Sequence, residues 1–272
     1  MSGSDDGRII DKIINDGKIV PVTITIKLIK DAIMKYNNDL FLIDGFPRNQ
    51  DNLLGWEENM SNICDVEATI FVDCPEEELQ KRLLLRGLTS GRTDDNIETA
   101  KKRFITYKDV TMPIINYYDS ISKLIRVRGD RNIDEVFNDI RDKIKPLIEK
   151  KIVENTQMLL DSISTNDFMT YETLCDVSLT CFEEKANGNL VQGLEFHKFY
   201  VDVTTSKEET KNKSTMHDSI VHVTGKSALI TYIKGKKDIA SGKIDKFKET
   251  RIWELINGTW KHVHCTSNII KF

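Results

Sequence analysis

The stretch from Leu40 to Asn52, LFLIDGFPRNQDN, restricts the fold of this chain more than any other. Four apolar residues, Leu40 to Ile43, run straight into Asp44, Gly45 and Phe46-Pro47-Arg48. That pattern predicts a strand buried on both faces that stops at a carboxylate and a sharp turn. Such strands belong to open parallel sheets, whose ligands sit outside the carboxyl ends of the strands. Asp44 and Arg48 are therefore expected to face one crevice, Asp44 suited to a metal ion or its water and Arg48 to a phosphate. By itself the stretch also fits an ordinary strand end, with Asp44 capping the turn and Arg48 on the surface. The rest of the chain has to decide between the two.

Two further apolar runs follow in the first half. Ala68 to Val72 ends in Asp73-Cys74-Pro75, and Pro75 stands where a helix would start. Glu76 to Arg86 carries acids in its first turn and Arg82 and Arg86 in its last, as the helix dipole prefers. The third run, Lys123 to Val127, precedes Gly129-Asp130. Helical spacing marks Gly7 to Ile14, a segment after Pro21 with Ile26, Ile29 and Ile33 inward, Gln50 to Met60 around Trp56, and Ile97 to Tyr107. Asn132 with Glu135 forms a capping-box pattern ahead of the stripe Ile133, Val136, Phe137, Ile140 and Ile144. Strands alternating with helices predict a parallel α/β sheet over residues 1 to about 144. The loop Gly87 to Asn96, with Arg92 at its centre and Arg86 and Arg103 on either side, has the composition of a phosphate-covering lid.

At Lys143 to Lys151 the composition shifts to lysines around one proline, and a domain boundary is placed between residues 146 and 147. Beyond it helices come first, near Ile152 to Ile163 and Phe168 to Cys175, and strands follow. The clearest hairpin runs from Glu249 to Ile256, through Asn257-Gly258, to Thr259 to Cys265. This order predicts an α+β domain. Gly225-Lys226-Ser227 reads as a turn and Ser206 to Ser214 as a solvated loop. His262 and His264 alternate on one strand face, where packed histidines are favoured over a two-ligand metal site.

A net charge of −4 gives no reason to expect nucleic acid or an acidic membrane as partner. Five cysteines without a CxxC pair suggest neither a disulfide framework nor a zinc site, and a reducing cytoplasm is the simplest compartment, with the nucleus as second option. The polar, acidic N-terminus has no signal-peptide pattern, and no apolar run approaches the roughly 20 residues of a membrane span.

GKIVPVTITIKLI (Gly17 to Ile29), FLIDGFPRNQDN (Phe41 to Asn52) and RGLTSGRTDDN (Arg86 to Asn96) together resemble the nucleoside monophosphate kinase family, most closely its UMP/CMP kinases. The resemblance covers residues 2 to about 144. It implies a parallel-sheet kinase domain using Mg and ATP, with Asp44 beside the magnesium through water and Arg48 on the acceptor monophosphate. Asn52 then reads the base of UMP or CMP, and Arg86, Arg92 and Arg103 clamp the phosphates in transfer. Gly129 and Arg131 stand where the adenine of ATP stacks. The family's first strand and GxxGxGKGT loop have no counterpart, and no G-x-x-x-x-G-K-[ST] occurs in the sequence. Without that nest and its lysine, phosphoryl transfer by this polypeptide is expected to be weak or absent.

TCFEEKANGNLVQGLEFHKFYVD (Thr180 to Asp202), ETRIW (Glu249 to Trp253) and NGTWKHVH (Asn257 to His264) resemble the association, or hub, domain of calcium/calmodulin-dependent protein kinase II. That implies a cone-like α+β fold of the NTF2-like or SnoaL-like type, a curved antiparallel sheet around a helix, assembling into a large homo-oligomer. His222, Lys234 and Arg251, with Lys243, match positions of a basic pocket inside the cone. No HRD or DFG motif and no basic amphipathic helix precedes this half, so calmodulin is not indicated. Two functions remain: a multimerised UMP/CMP kinase module, or a non-catalytic oligomeric scaffold.

Overall fold

Pro21 starts helix α1 (Val22–Lys35), its carbonyl accepting from the N–H groups of Ile24 and Thr25 at 3.2 Å each. Ile26, Ile29 and Ile33 lie on one face of α1, and that face meets helix α2 (Gln50–Met60) through Trp56 and Met60. The helices touch at Gly55, where a Cβ would lie 2.4 Å from Val22 Cγ2. Asn49 caps α2, its Oδ1 accepting the Asn52 N–H at 2.8 Å. In this computed structural model residues 7, 10, 13, 20–36, 38, 40–88, 97–182, 186, 188–199, 213–238 and 242–270 are described. The helix expected over residues 7–14 falls largely outside them, as do residues 89–96 of the expected lid.

Strands β1 (Thr69–Asp73) and β2 (Leu124–Arg128) pair in parallel, from Thr69 beside Leu124 to Asp73 beside Arg128. The connection between them includes helix α3 (Glu76–Gly87), helix α4 (Ile97–Thr106), a π-helical turn (Tyr107–Thr111) and helix α5 (Met112–Ser120). The sequence spacing anticipates neither the π turn nor α5. Ile114 and Tyr118 of α5 pack on Leu53 of α2.

The strand expected at Leu40 to Ile43 is not formed. Those residues carry no strand pairing, and Leu40 and Leu42 are 61% and 87% exposed. The cause lies in the pairing: a strand exists only where neighbouring backbone groups complete its ladder, and the described sheet holds β1 and β2 alone.

Asn132 and Glu135 bond reciprocally, Glu135 N–H to Asn132 Oδ1 at 2.9 Å and Asn132 N–H to Glu135 Oε2 at 3.3 Å. This capping box opens helix α6 (Ile133–Thr165), which spans 33 residues with Pro146 inside it. The lysine-rich join is thus helical, and Lys145–Glu149 and Lys150–Glu154 pairs at i, i+4 lie along it. The chain divides into two units, Met1–Asn37 with Phe41–Lys143, and Asn38–Leu40 with Ile144–Phe272.

In the second unit, helix α7 (Phe168–Leu174) leads into six strands: β3 (Cys175–Phe182), β4 (Leu190–Gln192), β5 (Lys213–Thr224), β6 (Ser227–Lys237), β7 (Ile244–Ile256) and β8 (Thr259–Ile269). Their order is β4-β3-β8-β7-β6-β5, and all neighbours are antiparallel except β3 and β8, which are parallel. The sheet is therefore mixed rather than wholly antiparallel. The C-terminal part of α6 gives Ile152, Leu159 and Leu160 to a core shared with Leu179, Ile230, Trp253 and Cys265. Asn257 and Gly258 turn the β7–β8 hairpin with φ of 51° and 82°, which Asn and Gly tolerate best.

Alanine at Gly55 gains up to about 1 kcal/mol in helix propensity, but its methyl group meets a β-branched valine held by its own helix. Overpacking of that kind costs about 1–3 kcal/mol. Gly55→Ala is expected to lower the stability of the first unit by about 1 kcal/mol, read as a lower urea midpoint for the transition that exposes Trp56.

Candidate functional site

Asp44 and Arg48 lie on the turn between the unpaired Leu40–Ile43 segment and α2, and Asn52 in the first turn of α2. Gly45 has φ of +71°, and a Cβ there would sit 2.5 Å from Arg48 Nη2. Glycine is needed because the Arg48 side chain folds back over the turn, its Nε donating to the Gly45 carbonyl at 2.6 Å. The peptide of Arg48 is held at both ends: its N–H donates to Asn52 Oδ1 at 3.1 Å, and its carbonyl accepts from Thr111 Oγ1 at 2.9 Å. Among the described residues, neither the exposed Asp44 carboxylate nor the terminal nitrogens of Arg48 have an ion-pair partner.

Asn52 is 2% exposed, and its Nδ2 has no hydrogen-bond partner. Exchanging its amide O and N does not relieve this, because it would point an NH2 group at the Arg48 N–H donor. A buried, unsatisfied amide costs about 1–3 kcal/mol and marks a place where an acceptor belongs.

The remaining kinase-half residues lie on other elements. Arg86 is on the exposed last turn of α3 and Arg103 on α4, while Arg92 lies outside the described residues. Gly129 is a close-packed strand end, its N–H donating to the Asp73 carbonyl at 2.6 Å and its would-be Cβ 2.6 Å from Val72 Cγ1. The Arg131 guanidinium is engaged, donating to Asp139 and, at 3.3 Å, to the Arg128 carbonyl. The bond from Arg131, with Lys143 beside it, holds the Asp139 carboxyl below its usual range. Arg82 ties α3 to this corner through the Gly129 carbonyl at 2.7 Å.

In the second unit Lys234 and Arg251 meet, but through a third residue. Glu249, on β7, accepts from Tyr232 Oη at 2.5 Å and Arg251 Nη2 at 2.9 Å on one oxygen, and from Ser267 Oγ at 2.8 Å and Lys234 on the other. Arg251 Nε donates to Tyr232 Oη at 2.7 Å, and Arg251 Nη1 lies 3.2 Å from His262 Nε2. Since arginine only donates, Nε2 is the acceptor, and the imidazole proton sits on Nδ1, 3.6 Å from Cys175 Sγ. His222 does not join them: it pairs with Leu229, whereas the inward Ile230 pairs with Val221 and Arg251, so His222 is on the opposite face. Lys243, exposed beyond β6, pairs with Asp245.

Burial would raise the Glu249 pKa, but Arg251 and Lys234 outweigh it and hold the carboxyl well below 4.5. Burial, and then the Arg251 cation, keep His262 neutral, well below 6.5. Burial pushes the Cys175 thiol up to about 12, so this buried Cys–His pair is not a nucleophile. The sequence reading passed over Glu249 and Tyr232. The signal available was the i, i+2 spacing of Glu249 and Arg251 with the buried Trp253. His262 and His264 are separated by a register shift opposite Ile252–Trp253, which turns His262 into the core and His264 to the other face beside Thr180.

No group of three His, Cys, Asp or Glu suited to a metal ion occurs among the described residues. Nor is any described helix long and apolar enough to cross a membrane.

Residues 1–123 match the family described as adenylate kinase, and residues 148–269 match the calcium/calmodulin dependent protein kinase II association domain. Uridylate kinase of Saccharomyces cerevisiae is 46% identical over 147 residues, covering 53% of this chain and 71% of that protein. UMP-CMP kinase of Danio rerio is 48% identical over 144 residues, covering 51% and 74%. Among solved structures, the association domain of the C. elegans kinase is 38% identical, covers 45% of this chain and 96% of that one, and has a TM-score of 0.41. The chain belongs to the UMP-CMP kinase branch of the adenylate kinase family, and its kinase-like part is fused to an association domain of the calcium/calmodulin dependent protein kinase II type.

Removing Glu249 leaves the buried Arg251 and the half-buried Lys234 without their anion, which costs about 3–5 kcal/mol. Glu249→Ala is therefore expected to lose that much stability, measured by denaturant unfolding of the second unit. The pH dependence has one sign. Glu249 and His262 both have lowered pKa values in the folded chain, so on acidification the unfolded chain takes up protons first, and stability falls with pH. Thermal midpoints should be flat above pH 6.5, decline below it as unfolded His262 protonates, and fall faster below pH 4.5 as unfolded Glu249 does. In His262→Gln the decline that begins near pH 6.5 should shrink.

Proposed function

We propose that this protein is a pyrimidine nucleoside monophosphate-binding module of the UMP/CMP kinase type, displayed on a self-associating hub. The observation that carries the reading is the Asn52 amide, buried and held by the Arg48 N–H yet with its own NH2 unpaired. A pyrimidine base offers the ring nitrogen or carbonyl acceptor that such a donor lacks. Four residues away, Arg48 presents terminal nitrogens with no carboxylate partner among the described residues, suited to a bidentate phosphate contact.

The donor half of the reaction is supported less. A single carboxylate, Asp44, suits magnesium, which keeps most of its waters and takes few protein ligands. The backbone nest and lysine for the ATP phosphates have no counterpart in the 272 residues, and Arg131 is already committed to Asp139. Asp44 would hold the ion's water and Arg86, Arg92 and Arg103 the transferred phosphate, but we derive no transfer step for this polypeptide. The labour divides near residue 146, with the kinase-like part ahead of it and the hub, residues 147–272, behind. In the hub pocket Glu249 already neutralises one of the cations Lys234 and Arg251, and we assign that cluster to holding the cone together.

Calorimetric titration of the polypeptide with CMP, UMP, AMP and GMP tests the reading. CMP or UMP should bind in preference to the purines, and Arg48→Ala should weaken them about 10- to 100-fold, as loss of a charge-assisted contact does. Equal affinity of the wild type and Arg48→Ala would overturn it. Light scattering should give a mass several times the 31.3 kDa of one chain, and a monomer would remove the hub from the proposal.

A further inference from the structure

The π-helical turn Tyr107–Thr111 lies on the route from α4 to α5, with Met112 N–H donating to the Tyr107 carbonyl five residues back. A π turn inserts one residue into an α-helix, so everything after it is rotated by about 100° relative to what precedes it. Here the two sides of the insertion are tied to different elements. Tyr107 stacks on Phe71 of β1 with ring centroids 6.4 Å apart, and Lys108 pairs with Glu76 at the start of α3 at 2.5 Å. Beyond the turn, Ile114 and Tyr118 pack on Leu53 of α2. Thr111, the last residue of the turn, donates its hydroxyl to the Arg48 carbonyl at 2.9 Å. Without the inserted residue, a helix that kept Tyr107 on Phe71 would turn the residues beyond it by about 100° from where they now lie.

That bond completes a chain of three. Thr111 holds the Arg48 carbonyl, the Arg48 N–H holds Asn52 Oδ1, and Asn49 Oδ1 holds the Asn52 N–H. Its end point is the one amide donor in the turn left buried and unpaired. We infer that Thr111 is a positioning residue for base recognition: through the Arg48 peptide it fixes the direction in which the Asn52 NH2 group points. The inference rests on the nucleotide reading above. It adds a residue 59 positions beyond Asn52 that touches neither base nor phosphate.

The Thr111 hydroxyl lies at the protein surface, so water can replace it at the Arg48 carbonyl. Its loss should therefore loosen the direction of Asn52 while leaving the fold intact. The experiment compares wild type, Thr111→Val and Thr111→Ser for binding of CMP and of ribose 5-phosphate, which carries the phosphate without a base. Thr111→Val should weaken CMP by about three- to tenfold, the effect of one neutral hydrogen bond, and ribose 5-phosphate by less than about twofold. Thr111→Ser, which keeps the hydroxyl, should restore CMP binding. In Thr111→Val the Arg48 amide should exchange with deuterium faster while the Ile114 amide does not change.

Equal CMP affinity in wild type and Thr111→Val overturns the inference and leaves the nucleotide reading standing. So does a parallel loss for both ligands, or a loss that serine does not restore, each of which means a general packing role. Absence of CMP binding in the wild type overturns both.

Discussion

Three strands of the second unit meet at one carboxylate. Tyr232 and Lys234 come from β6, Arg251 from β7 and Ser267 from β8, and all four donate to Glu249 or to a group bound to it. A lone buried carboxylate would take up a proton and lose most of these bonds. Two cations reverse that tendency, and the anion in turn lets arginine remain inside a core that includes Ile230, Trp253 and Cys265. Each member is tolerable only because the others are present. The positive charge left over resides toward Lys234, the more exposed cation, whose ammonium also lies 4.8 Å from the Phe247 ring.

The first unit obeys the opposite constraint. Its apolar segment Phe41–Ile43, with Leu40 just before it, has the composition of a central strand but no strand pairing among the described residues, and Leu40 and Leu42 face solvent. The turn that follows is ordered all the same, because its bonds are local or come from α5's side: Gly45 to Arg48, Arg48 to Asn52, Asn49 to Asn52, and Thr111 to Arg48. The turn and the sheet that would flank it are thus separable in their physics, one built from side-chain bonds and the other from backbone ladders.

What could be read from the sequence follows the range of the interactions. The capping box at Asn132 and Glu135, the Ile26–Ile29–Ile33 face and the Asn257-Gly258 hairpin depend on residues within a few positions of each other, and the structure contains all three. Asp44, Arg48 and Asn52 fall on one turn and the helix start that follows it for the same reason. Where the decisive partner is distant, the local pattern says little. Nothing within Leu40–Ile43 shows that its ladder goes unfilled; the sign of it in the sequence is that the first strand of the resembled family has no counterpart. Arg131 looks available until Asp139 reaches it from α6, and His222 faces outward because of a register set across β5 and β6. Glu249 was overlooked because a charged residue on a strand ordinarily reads as solvent-facing, and its cations approach from a neighbouring strand and from two residues along its own.

The register shift in β8 bears on how this hairpin can vary by descent. A strand has two faces, and one additional residue exchanges them for everything downstream. With the shift in place, the segment carrying Trp260 and His262 and the segment carrying Cys265 both face the core, although 262 and 265 differ by an odd number. Substitutions along β8 are therefore judged against two phases of alternation that meet near His264. Loss of a single codon there would do what no single substitution does, turning either Cys265 or the His262 pairing to the wrong side of the sheet. The register shift thus makes length in this short segment more critical to the fold than identity.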